Sequence, residues 1–160
     1  MERRQLLDHV RSLPREGRRS PFAPEQPASL ADGPGGRLIR MSLYRNLSRT
    51  GLAHTLGVLT PTYLSASTYG VIGAGRKELT PGLVTDFAAV LGIEARQLAA
   101  LTGVVLPGTP RPPAPEAVDA AALLWAARSL SAAQAQHVAE LAGSLRGDSR
   151  AEYRLNLPGW

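Results

Sequence analysis

Apolar residues recur along this chain at helical spacing, and no stretch alternates as a half-buried strand does. Leu6, Leu7, Val10 and Leu13 share one face of a first segment, residues 1–13, closed by Pro14. Between 37 and 103 the pattern is dense and predicts five short helices. Leu38, Ile39, Met41, Leu43 and Leu47 line the first, which is expected to end near Asn46. Ser48 starts the second, since its hydroxyl can accept from the free N–H groups of a first turn. Leu52, Ala53 and Leu56 point inward there, and Gly57 is expected to stop the helix in the left-handed conformation. Thr60 as cap and Pro61 at the first helical position open the third, running to about Thr68 with Leu64 as its inward anchor. Thr80-Pro81 repeats that start for a fourth helix carrying Leu83, Val84, Phe87, Val90 and Leu91, with Gly92 as its stop. Glu94 to Thr102 makes the fifth, stopped by Gly103.

Stretches without apolar period punctuate this pattern. Residues 14–36 are rich in Pro and Gly and read as a flexible linker. Residues 70–77, Gly-Val-Ile-Gly-Ala-Gly-Arg-Lys, read as a glycine-rich loop, and 107–115 as a second, proline-rich linker. Beyond it, 116–129 and 131–145 are helical, with Leu123, Leu124, Trp125, Val138, Leu141 and Leu145 as apolar positions. The short corner at Leu130-Ser131 makes them a helical hairpin, spanning 116–146. A tail, 147–160, carries Tyr153, Leu155, Leu157 and Trp160.

Composition narrows the functional classes. The 160 residues are 44% hydrophobic and 19% charged, enough to bury a core and too apolar for disorder throughout. The absence of Cys excludes disulfides, thiolate catalysis and Cys-based metal centres. No apolar run approaches the roughly 18 residues of a membrane span, and the first residues do not read as a signal peptide. A cytoplasmic protein with no membrane association is expected. The net charge of +5 is N-terminal: residues 1–57 hold ten Arg against five acids, whereas the remainder is balanced. A basic half suggests an acidic partner such as nucleic acid, and the guanidinium fork suits phosphate.

The most specific signal is Leu47-Ser48-Arg49-Thr50-Gly51-Leu52-Ala53-His54-Thr55-Leu56-Gly57-Val58, followed by Thr60-Pro61-Thr62-Tyr63-Leu64-Ser65. It resembles the helix-turn-helix of phage-repressor-like (Xre/Cro type) DNA-binding proteins, and Leu79 to Leu101 is similar to that family's fourth and fifth helices. The resemblance covers about 37–104. It departs from the family at Leu59, an extra residue in the turn, at the missing acid near Ser67 and Thr68, and in the length of the 69–79 loop. It implies a sequence-specific transcriptional regulator that binds double-stranded DNA as a homodimer, with the helix near 61–68 in the major groove. Ala53 is then small where helices cross, and Val58 plugs the angle between them. The expected base-contacting residues are Thr60, Thr62, Tyr63, Ser65 and Ala66. Those expected to hold phosphate are Arg45, Arg49, Arg76 and Lys77. No Arg, Asn or Gln, the bidentate base readers, lies between Thr60 and Tyr69.

The expected fold is therefore all-α: a five-helix repressor-like helix-turn-helix domain at 37–106, with an N-terminal helix and a C-terminal helical hairpin. The hairpin either packs on that domain or pairs with its copy, and the proline linker favours pairing. The alternative function is a protein-interaction adaptor on a helix-turn-helix fold without DNA readout, and the hairpin is the candidate surface for a protein partner. Gly70-x-x-Gly73-x-Gly75 lacks the preceding strand and the Gly-Lys-Ser/Thr ending of a phosphate loop. His9, His54 and His137 lack metal-ligand spacing, and no nucleophile–base set is visible. Neither a cofactor nor an enzymatic activity is expected.

Overall fold

Helix boundaries follow local chemistry more closely than apolar spacing does. A computed structural model describes residues 3–15 and 30–155, with side chains through 146. It contains eight helices among the described residues and no strand there. These are α1 (Arg3–Ser12), α2 (Pro34–Leu43), α3 (Arg49–Leu59), α4 (Ala66–Gly73), α5 (Pro81–Leu91), α6 (Ala95–Thr102), α7 (Pro115–Ala127) and α8 (Ala132–Leu155). Ser48, Ser65, Thr80 and Glu94 each accept a backbone N–H of the following first turn. Gly92 and Gly103 end α5 and α6 at φ 68° and 72°, a region open to glycine without a Cβ penalty. No described helix is long and apolar enough to cross a membrane.

Three boundaries correct the sequence reading. α2 begins at Pro34, not Arg37, so the linker expected over 14–36 ends earlier. Gly35 and Gly36 are buried in its first turn, where the backbone presses against Ile72 and Ala31. Gly57 does not stop α3, which continues to Leu59. The stop is Pro61: it disfavours helical backbone at the preceding residue, and Thr60 is extended at φ −138°, ψ 166°. Pro61 thus ends one helix rather than opening the next. α4 starts at Ala66, and Gly70 and Gly73 of the expected loop lie inside it. Residues 60–65 form an extended connector.

α2 to α6 enclose the larger core, with Leu38, Ile39, Leu52, Leu56, Tyr69, Ile72, Val84, Phe87 and Leu98 fully buried. Val58, expected inside the angle between helices, is instead 69% exposed. A smaller core joins Leu6 and Val10 of α1 to Leu130, in the corner before α8, and to Val138 of α8. α7 belongs to both: it packs on α5 and on α1, with Leu124 reaching the larger core and Leu123 the smaller. Its buried contact residues, Ala117 and Ala121, are small enough for close approach.

Packing on the preceding helices, one of the two arrangements expected for the hairpin, is observed through α7 on α5, whereas the proline linker favours the other. The proline linker is held down, because Arg111 pairs with the buried Asp86 at 2.7 Å. Asn46, in the left-handed region at φ 60°, donates from Nδ2 to the Arg128 carbonyl at 3.4 Å. α1 packs against both α7 and α8, so the C-terminal unit is a three-helix arrangement with the N-terminal helix as one member. The expected tail aromatics, Tyr153 and Trp160, lie outside the described side chains.

Candidate nucleic-acid interface

The residues expected to read bases belong to the α3–α4 connector and the start of α4. Thr60 caps the C-terminus of α3: its hydroxyl donates to the Leu56 carbonyl at 2.7 Å and accepts from the Thr62 N–H at 3.2 Å. Thr62 turns inward and donates to the Asp86 carboxylate. Both hydroxyls are therefore committed within the fold, a consequence of the connector being extended rather than helical. Tyr63 is 91% exposed, with its ring edge beside Gly57. Ser65 is the N-cap of α4, accepting from Thr68 N at 3.2 Å, and it lies 2.8 Å from the exposed Ser67 hydroxyl. Ala66 is the first residue of α4 and half-buried.

The candidate phosphate residues separate into two groups. Arg49 is exposed at the start of α3, and its guanidinium lies over α4: a Cβ at Gly70 would sit 2.5 Å from Nη1. Arg76 and Lys77 are exposed in the turn that leaves α4. These three share α4 as their common neighbour in space or sequence. Arg45 lies elsewhere, stacked over Trp125 of α7 with its guanidinium carbon 4.5 Å from the ring centroid. Arg128 covers the same ring at 3.5 Å. Burial, and then the neighbouring Arg128, lower the pKa of Arg45, and its Nε is buried with no hydrogen-bond partner among the described residues.

Charge distribution sharpens the picture. From 33 to 77 the chain holds no acid, and that stretch makes α2, α3 and α4. Its basic residues are Arg37, Arg40, Arg45, Arg49, Arg76 and Lys77. Arg40 faces Asp32 at 3.7 Å and Arg45 faces Trp125, while the other four are exposed. Beneath this surface Asp86 anchors the connector through Thr62 and the linker through Arg111. Burial, and then Asp86, push Tyr69 up to about 12.

Sequence reasoning missed Ser67, Asp86, Arg111 and the Arg45–Trp125 stack. Ser65, three residues before Thr68, carried a cap signal for the true start of α4, eclipsed by Thr60-Pro61. The long-range contacts leave no local trace. No family model matches the chain, and neither does any curated protein or solved structure.

Proposed function

We propose that the chain is a DNA-binding transcriptional regulator in which α3 and α4 act as a helix-turn-helix with a long turn. The observation that carries this reading is the acid-free run of residues 33–77, which makes α2 to α4 and leaves Arg37, Arg49, Arg76 and Lys77 exposed. Such an excess of one charge favours a polyanion, and the start of α4 adds the exposed Ser65 and Ser67. In this reading Arg49, Arg76 and Lys77 hold phosphates on either side of the groove that α4 enters. Thr60 and Thr62 position the connector instead of touching bases. An eight-residue helix reaches few base edges, so two copies on adjacent half-sites supply the specificity.

The test is a titration of the whole chain against double-stranded genomic fragments at two salt concentrations. Affinity should fall steeply with salt while still favouring some fragments. Replacing Arg76 and Lys77 together by Ala should reduce the salt slope by about 2, roughly one per phosphate contact. Ser67→Ala should blur sequence preference without changing that slope. No binding at low salt ends the proposal. The exposed Tyr44 and Tyr63 favour the adaptor reading, which gains if one stoichiometric protein co-purifies with a chain that retains no DNA.

A further inference from the structure

A groove of about 1250 Å³ runs between α7, the α5–α6 junction, the end of α3 and the proline-rich linker. Its walls are mostly apolar, including Leu91, Ile93, Ala121 and Ala122. Val58, Val118 and Trp125 also line it, and all three are large hydrophobic side chains left more than half exposed. Apolar surface concentrated in one concavity with a few polar groups is the usual form of a small-molecule site.

The polar groups of the groove are unevenly matched. Asp86 is occupied by Arg111 and Thr62. Glu94 caps α6 by accepting from Gln97 N at 2.9 Å. Arg45 has no ion-pair partner among the described residues. It is half-buried on the Trp125 ring, with a second guanidinium, Arg128, on the same ring. A guanidinium remains charged under these conditions, so this end of the groove holds positive charge that the fold does not neutralise.

We propose that the groove binds an amphipathic carboxylate, its apolar body along Val58, Val118 and Trp125 and its anionic head on Arg45. The carboxylate supplies the opposite charge and the acceptor that Arg45 lacks, and the body removes exposed apolar surface from water. A cation of the same shape is repelled at the same end, and a neutral analogue leaves Arg45 unmatched. The site stands independently of the DNA-binding reading.

Trp125 reports on occupancy. In a full-length chain carrying Trp160→Phe it is the remaining tryptophan. The probe is dodecanoate below its micellar concentration, titrated while Trp125 fluorescence is followed. 1-Dodecanol and dodecyltrimethylammonium serve as the neutral and cationic analogues. Dodecanoate should bind at micromolar concentration with saturable quenching, at least about tenfold more tightly than either analogue. Arg45→Met keeps the apolar stem and should weaken dodecanoate by about tenfold or more while leaving dodecanol unchanged. Val118→Glu, at an exposed helical position, should weaken dodecanoate more than dodecanol, because it repels the carboxylate as well as removing apolar wall, with folding checked by circular dichroism. Equal affinity for acid and alcohol overturns the proposal, as does indifference to both substitutions. So does absence of quenching, including the case in which sedimentation shows the chain to be a dimer.

Discussion

Asp86 holds together three parts of the chain that sequence separates. Its carboxylate is nearly sealed from water, yet it accepts from Thr62 of the connector and from Arg111 of the linker. Thr62→Val removes one donor from a buried charge while keeping the side-chain shape. It should lower unfolding stability by about 1–2 kcal/mol, read by urea denaturation, and leave DNA sequence preference as it was. Arg111→Met should cost a similar amount, and the double variant should cost more than the sum because it leaves a buried carboxylate with neither donor. Tyr69 offers a second residue-scale test. Its hydroxyl is buried and has no partner among the described residues, and the folded chain holds its proton up to about pH 12. An unfolded chain releases that proton near pH 10. The native state therefore binds more protons across this window, and its stability is full below pH 10 and falls between pH 10 and 12. The loss should be on the order of 2 kcal/mol, measured as the drop in denaturation midpoint. Tyr69→Phe should remove that dependence and change neutral-pH stability by less than about 1 kcal/mol.

At the scale of elements, small glycines let α2 and α4 approach closely. A Cβ at Gly35 would meet the Ile72 carbonyl oxygen, and one at Gly73 would sit 2.8 Å from Leu30 Cδ2. Gly35→Ala should thus destabilise by about 2–3 kcal/mol despite improving helix propensity, a sign reversal that thermal denaturation can read. This close packing also explains what was legible in the sequence. α5 and α6 were readable in full, because Thr80-Pro81, Glu94, Gly92 and Gly103 are local signals that the fold obeys. α2 and α4 were misplaced because their glycines looked like linker and loop. Gly35 and Gly73 serve close contact with Ile72, Leu30 and Ile39, all more than thirty residues away, whereas Gly36 presses on the nearby Ala31 and Gly70 lies under Arg49. The candidate site inherited the error. Thr60 and Thr62 were placed on a reading helix, whereas Pro61 ends the helix before it. Arg49, Arg76 and Lys77 depended on no register and remain exposed beside α4.

Across the whole molecule, α7 is the joint: its small residues lie against α5, and its Leu123 faces the core that α1 completes. Leu6 of α1 is 4% exposed there. Leu6→Ala should cost about 2–4 kcal/mol, and hydrogen exchange should show the loss in α7 and α8 more than in α2 to α6. That interlocking sets an order of assembly during synthesis. α1 leaves the ribosome about a hundred residues ahead of α7, which is about 5–20 seconds at ordinary elongation rates. α2 to α6 meanwhile hold all the buried residues of the larger core, Leu124 of α7 being a partly buried addition, and can close on the nascent chain. α1 waits with Leu6 and Val10 uncovered until α7 and α8 emerge. A chaperone that shields exposed apolar helices has its natural client in that interval, and slowing translation lengthens it.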